Sequence, residues 1–285
     1  MKKDATILKA LLLAAVMAAP LTPAVAADNQ VAQAAGPSLS DRLGPILSGA
    51  HRSDANKARD VWRRPVETLE FFGVEPGMTV VEISPGGGWY TEVLAPLLNG
   101  EGRYIAAAAD PNGASENMLA GIQRFKDKLA ANPDLYGKAE LAAFGPRALD
   151  VVPEGSADRV LTFRNVHNWM AAGWAEDAFK AMFKALKPGG VLGVVEHRAS
   201  KDQPQDPKAA SGYVREDHVI KLATDAGFKL VALSEINANP RDTKDHPRGV
   251  WTLPPTLGLK DQDRDKYQAI GESDRMTLRF VKPAD

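Results

Sequence analysis

The chain has 285 residues, 44% hydrophobic and 25% charged, with 35 basic side chains against 36 acidic ones for a formal net charge of −1. This is globular composition at a length that supports one large domain, and the even charge excludes a basic footprint for nucleic acid or for an anionic membrane. There is no cysteine, hence no disulfide and no lipid-bearing thiol, and the core must hold without cross-links.

Lys2, Lys3 and Lys9 accompany an apolar run over 10–19, followed by Pro20, Pro23 and the small triplet Ala24-Val25-Ala26. The pattern predicts a secretory signal over 1–26 cut behind Ala26. The run is about half of what a membrane span needs, which makes an uncleaved anchor the lesser alternative. No Arg-Arg pair occurs within it, which points to the general secretion route. A chain processed this way is periplasmic or secreted, with no stable membrane anchor. Residues 27–50, rich in Ala, Gln, Gly, Pro and Ser, read as a flexible tail with room for a short helix. The domain proper is expected over 51–285.

Helical signal begins at Arg52, with Ser53 or Asp54 as cap and Trp62, Val66, Leu69 and Phe72 at helical spacing. Pro65 divides it into two helices, the second starting at the proline. After Gly73 and the turn Glu75-Pro76-Gly77 the pattern alternates. Strands are predicted over 78–84, 103–109, 139–144, 157–163, 191–197, 228–235 and 276–281, and helices over 89–98, 116–130, 175–186 and 215–226. Met118, Ile122, Phe125 and Leu129 share one helical face, and Lys187-Pro188-Gly189-Gly190 stops the helix before 191. The alternation predicts an α/β fold, a mostly parallel sheet with helices on both faces and an antiparallel edge from the last two strands. The polar stretch 237–275, with Pro240, Pro247, Pro254 and Pro255, is long for a loop. It reads as a lid or a surface insertion, with Trp251 as its large apolar anchor.

The run Gly77-Met78-Thr79-Val80-Val81-Glu82-Ile83-Ser84-Pro85-Gly86-Gly87-Gly88 resembles the first motif of class I S-adenosylmethionine (SAM) dependent methyltransferases. Leu186-Lys187-Pro188-Gly189-Gly190-Val191-Leu192 resembles the helix–turn–strand signature later in that fold. Arg164-Asn165-Val166-His167-Asn168-Trp169 follows the fourth strand, where these enzymes often carry Asn and His. With the helix–proline stretch 52–72, the chain also resembles a group of predicted exported methyltransferases, over about residues 52–283.

The resemblance implies a Rossmann-like, seven-stranded sheet with the last strand antiparallel, SAM across the C-terminal ends of the first strands, and methyl transfer to a small-molecule acceptor. The implied cofactor-binding set is Glu82, Ser84, Pro85, Gly86, Gly87, Gly88, Tyr90, Thr91, Asp110, Arg164 and Asn165. Glu82 anchors the loop or receives the amino group of the methionine moiety. The three glycines pack under the cofactor or form a plain tight turn, and Tyr90 and Thr91 supply a hydroxyl or a cap. Asp110 is a ribose ligand or a surface acid. Two positions depart from the family pattern. Aligning Pro111 with the usual proline puts Ala108 at the acid position, and Gly145-Pro146 stands where Gly-Asp often sits, leaving Asp150 as a candidate substitute.

Methyl transfer from a sulfonium is an in-line displacement in which the protein mainly aligns the acceptor; a base is needed only when the acceptor carries a proton. The acceptor is expected above the ends of the fourth and fifth strands, where Arg164, Asn165, His167, Asn168 and Trp169 meet Glu196, His197 and Arg198. His167 is the first candidate base and His197 the second, with Glu196 beside them; the alternative is that either imidazole ties loops together by hydrogen bonds. His167, Glu196 and His197 are metal-ligand types without tight ligand spacing, so no metal is expected. The cluster Arg59, Arg63, Arg64 reads as a solvated face or, turned to the cleft, as a binder of an anionic acceptor. Two other functions compete. An NAD(P)-dependent oxidoreductase is suggested by Gly86-x-Gly88 with an acid at 110, against Thr91 at the third glycine position and the Lys-Pro-Gly-Gly turn. The other is an exported non-enzymatic binding protein on a methyltransferase fold.

Overall fold

In the computed structural model, which describes residues 36–284, short apolar runs become the strands Thr79–Ile83 (β1), Arg103–Ala109 (β2), Glu140–Phe144 (β3), Ala157–Phe163 (β4), Leu186–His197 (β5), Lys229–Ser234 (β6) and Arg275–Val281 (β7). They form one seven-stranded sheet in the order β3-β2-β1-β4-β5-β7-β6. β1 pairs parallel with β2 and β4, and β4 with β5. β7 runs antiparallel to both β5 and β6 at the far margin. The central strands are buried on both faces, so Val80, Val81, Val160, Leu161, Leu192 and Val194 read as continuous apolar runs rather than as alternation.

One face is covered by Leu39–Ser48 (α1), Pro65–Phe71 (α4), Thr91–Leu98 (α5) and Glu116–Ala130 (α6), preceded or separated by the short helices Asp54–Lys57 (α2) and Asp60–Arg63 (α3). Leu43, Leu69, Phe72, Val93, Leu94 and Phe125 form its core. After the short Pro133–Tyr136 (α7), the other face carries Val166–Ala172 (α8), Ala175–Ala185 (α9) and Glu216–Asp225 (α10), with Trp169, Phe179, Met182 and Val219 buried against the sheet. Among the described residues no helix is long and apolar enough to cross a membrane. The expected signal over 1–26 lies outside the described residues.

The expected tail over 27–50 requires correction where it is described. The compact unit begins at Pro37, and α1 is a capped helix. Ser38 accepts from the Asp41 N–H while the Asp41 carboxylate accepts from the Ser38 N–H, a reciprocal capping box. Leu43 is fully buried against the α4–α5 layer. Gly44 and Pro45 hide this helix from propensity, but the capping box marks its start. The stretch 237–275 is also more ordered than a loop, with a 3-10 turn at Gly249–Thr252 and a helix at Arg264–Ile270 (α11). The Asp242 carboxylate pins it, accepting from Tyr213 Oη at 2.9 Å, from the Asp274 N–H at 2.7 Å and from His246 Nε2 at 2.8 Å.

Because Leu43 is enclosed, Leu43→Ala should lower the unfolding free energy in urea by about 2–5 kcal/mol. A change within about 0.5 kcal/mol, the range of surface substitutions, would place α1 outside the cooperative fold.

Candidate active site

The site forms where β1 and β4 end side by side. Ser84 follows β1 with φ 54° and Arg164 follows β4 with φ 63°. Both are non-glycine residues in the left-handed region, a conformation retained when the surroundings enforce it and concentrated at functional sites. Asn165 Nδ2 donates to the carbonyls of Ile83 at 3.1 Å and Ser84 at 3.2 Å, tying the β4 end to the glycine turn. From the other side, Lys128 Nζ donates to the Gly87 carbonyl at 2.9 Å and pairs with the buried Glu92 at 2.6 Å.

The three glycines do different things. A Cβ on Gly86 or Gly87 would meet nothing within 4 Å, whereas one on Gly88 would lie 3.0 Å from the Phe125 ring. Gly86 and Gly87 therefore keep space open above the turn, and Gly88 lets α6 pack beneath it. Ser84, Pro85, Gly86, Gly87 and Asn165 form a shared wall between two cavities of about 390 and 480 Å³. The larger is apolar, lined by Ala108, Ala109, Met118, Ile122 and Phe125. Met118, on the helical face it shares with Ile122 and Phe125, lines this cavity and is 48% exposed.

The smaller cavity carries the polar groups. Glu196, fully buried in β5, accepts from the backbone N–H groups of Val166 (2.6 Å), His167 (3.4 Å) and His197 (2.7 Å) and lies 3.0 Å from His167 Nδ1. A carboxylate only accepts, so Nδ1 of His167 carries a proton, and in the neutral imidazole Nε2 is then the nitrogen with the lone pair. The His197 ring centroid is 5.3 Å from that of His167, and its Nδ1 is 2.5 Å from Ser273 Oγ. Burial, then His167 and the guanidiniums of Arg275, Arg164 and Arg63, push the His197 pKa well below its ordinary 6.5, so this imidazole is neutral. The possible ligand atoms of His167, Glu196 and His197 lie within 4.8 Å of one another. However, each Glu196 oxygen already accepts N–H bonds, and the surrounding arginines oppose a dication.

The structure brings Ser84, Pro85, Gly86, Gly87, Arg164, Asn165, His167 and His197 to these cavities, it brings Asp110 to an adjoining cavity of about 440 Å³ that shares Ser84, Ala109, Met118 and Asn165, and it gives the others different tasks. Glu82 is 2% exposed, and its Oε2 accepts from Tyr104 Oη at 2.5 Å and Thr91 Oγ1 at 3.1 Å. These bonds support the strand end, and Thr91 serves Glu82. Tyr90 stacks on Phe163 with ring centroids 3.5 Å apart and donates to the Arg63 carbonyl, so it is packing. Asp110 accepts from the Asn112 N–H at 2.9 Å, closing its own turn beside Gly145. Asp150 pairs with Lys184 at the surface and replaces nothing near the site. Arg198 turns out to Glu235 and Asp274. Of the arginine cluster, Arg59 and Arg63 line the smaller cavity while Arg64 is exposed beside Glu67.

Sequence reasoning did not single out Asn56, Trp89, Glu272, Ser273 and Arg275, all in the same wall. Trp89 donates to the Asn56 carbonyl at 3.0 Å and lies under the Arg52 and Arg63 guanidiniums, 5.0 and 4.7 Å from its ring centroid. Glu272 and Arg275 follow the long polar stretch, and only the sheet brings them to the N-terminal helices.

No family model matches the chain. It is 30% identical over 177 residues to a ubiquinone/menaquinone biosynthesis C-methyltransferase from Ectopseudomonas mendocina (strain ymp), covering 61% of this chain and 57% of that protein. It is likewise 30% identical over 159 residues to a protein of the same description from Pseudomonas fluorescens (strain SBW25), covering 55% and 52%. The chain thus spans little more than half the length of these relatives. A SAM-dependent methyltransferase from Aquifex aeolicus superposes with TM-score 0.52 at 16% identity, over 79% of this chain and 93% of that one. The [4+2]-cyclase SpnF does so with TM-score 0.57 at 14% identity, over 87% and 94%. The chain has the Rossmann-like class I methyltransferase fold.

Burial raises the Glu82 pKa from 4.5 to about 7, against the lowering by Tyr104 and Thr91. The folded value lies above the unfolded one, so the stability tied to the protonated carboxyl is complete below pH 4.5 and is lost as pH rises to about 7. A shift of this size corresponds to on the order of 3 kcal/mol. Glu82→Gln removes the titration. In urea unfolding from pH 4 to 8, wild-type stability should fall relative to the variant across that window, and a pH-independent difference would refute the assignment.

Proposed function

We propose that the chain is a SAM-dependent methyltransferase acting on a small-molecule acceptor, and that export behind the 1–26 signal places it in the periplasm or outside the cell. The observation that carries this reading is the pair of cavities sharing the glycine turn, one apolar and one lined by His167, His197 and arginines. The residues present fit the cofactor. Gly86 and Gly87 leave free the space a Cβ would fill, Asn165 holds the turn, and Ala108, Ala109, Met118 and Phe125 offer apolar surface for a nucleoside. Ser84, Pro85, Gly86, Gly87, Arg164 and Asn165 would hold it. When bound, SAM supplies an activated methyl on a sulfonium.

The chain's own residues orient the acceptor, exclude water and remove a proton. Glu196 fixes the His167 ring with Nδ1 protonated, so Nε2 can accept the proton of an acceptor hydroxyl. Trp251 meets the His167 ring edge-on, centroids 6.0 Å apart, and shields it from the side of the 237–275 stretch. The relatives' names support methyl transfer.

Calorimetry with S-adenosylhomocysteine tests the reading. The wild type should bind it in the micromolar range. Gly87→Ala, whose new Cβ meets no protein atom, should stay folded and bind it about tenfold more weakly, a loss of about 1.4 kcal/mol. Heat with NAD(H) and none with S-adenosylhomocysteine would overturn the proposal. With an acceptor in hand, His167→Ala should lower kcat by about 10²–10⁴ and leave S-adenosylhomocysteine affinity unchanged; full turnover would remove His167 as base.

A further inference from the structure

The wall of the smaller cavity holds four guanidiniums, those of Arg59, Arg63, Arg164 and Arg275, and one carboxylate, that of Glu272. Glu272 is fully committed. Its Oε1 accepts from Arg59 Nε at 2.5 Å, and its Oε2 faces Arg63 Nε at 3.3 Å and Arg275 Nη2. Among the described residues no side-chain carboxylate pairs with Arg164. Arg63 and Arg275 have side chains only 2% exposed, and Arg63 Nη1 and Arg275 Nε have no hydrogen-bond partner. Buried donors of this kind are normally satisfied, and a buried cation without its counter-charge is unfavourable.

The surplus shows in the titration of the arginines. Burial, then the neighbouring Arg275, pull Arg164 down to about 10, and burial followed by Arg164 pulls Arg63 well below its usual range. SAM relieves this only in part, because the single carboxylate that it can offer to Arg164 is outweighed by its sulfonium and ammonium groups. A metal cation would make it worse. What the wall lacks is negative charge on a body small enough for about 390 Å³. Phe163 and Trp251 line the same cavity and add apolar surface.

We propose that this cavity is an oxyanion site, and that the methyl acceptor is a small molecule whose carboxylate or phosphate seats among Arg59, Arg63 and Arg275. The word acceptor rests on the methyltransferase reading; the oxyanion site does not.

The test is calorimetry on the full protein at low salt with benzoate, phenyl phosphate and the neutral isostere benzamide, each with and without saturating S-adenosylhomocysteine. At least one anion should bind about tenfold or more tightly than benzamide, with affinity that falls as salt is added. Comparison of benzoate with phenyl phosphate identifies the headgroup. Arg59→Gln, at a side chain 21% exposed, and Arg275→Gln should each reduce anion affinity about tenfold while S-adenosylhomocysteine still binds. Equal affinity for benzamide, no binding of either anion, or anion affinity unchanged in both variants overturns the proposal. The wild-type comparison decides by itself if Arg275→Gln does not fold. Anion discrimination without any S-adenosylhomocysteine binding supports the oxyanion site and removes the methyltransferase reading.

Discussion

One buried carboxylate, Glu272, holds the two ends of the domain around the site. It sits just before β7 and faces Arg59 and Arg63, 213 and 209 residues earlier in the chain. Burial alone would push its carboxyl up, but Arg275, Arg63, Arg59 and Arg164 together hold it well below the ordinary carboxylate range. Attraction to several cations thus outweighs desolvation, the condition under which a buried ion pair is sustained. The turn at Gly271, whose backbone lies against the Trp62 ring, and the placement of Ser273 beside His197 follow from this junction. Removing the carboxylate would leave four guanidiniums facing one another across the cavity.

The same residue type, equally buried at three positions, serves three ends around the site. Glu82 is met by the two hydroxyls of Tyr104 and Thr91, which compensate burial only in part, so its pKa rises to about 7. Glu196 is met by three backbone N–H groups and an imidazole, and it thereby fixes both the start of α8 and the His167 tautomer. Glu272 is met by guanidiniums and joins distant segments. Donor type, more than burial, separates a support, an orienting group and a clamp.

Periodicity and turn chemistry are local, and the local parts of the fold were legible. β2, α6 and β4 lie at the predicted residues, because their apolar runs end at Gly, Pro or a serine cap. The glycine turn and the histidines at the neighbouring strand end were legible for the same reason. Side-chain direction was not. Glu82, Gly88, Tyr90 and Thr91 belong to the motif, yet each points into the protein, and no spacing distinguishes them from Gly86 and Gly87 across the same bend. The left-handed Ser84 and Arg164 were invisible because neither is a residue type that announces positive φ. The Arg59–Glu272 pair required long-range closure of the sheet, and α1 was obscured by Gly44 and Pro45.

A fold shared by a methyltransferase and a [4+2]-cyclase does not choose a reaction; the cavity wall does. Here the arginine field divides the labour between two imidazoles of one residue type. His197 is partly buried and faces Arg275, Arg164 and Arg63, which together with desolvation keep it neutral. Its Nδ1 is engaged by Ser273, so it is suited to hydrogen bonding. His167 is held by the Glu196 carboxylate, whose negative charge stabilises an imidazolium once a proton arrives. In the proposed methyl transfer, proton removal falls to the histidine backed by an acid, next to a wall of guanidiniums. The oxyanion proposed for that wall would offset part of its positive charge, and the groups that would seat the acceptor lie beside the one that would deprotonate it.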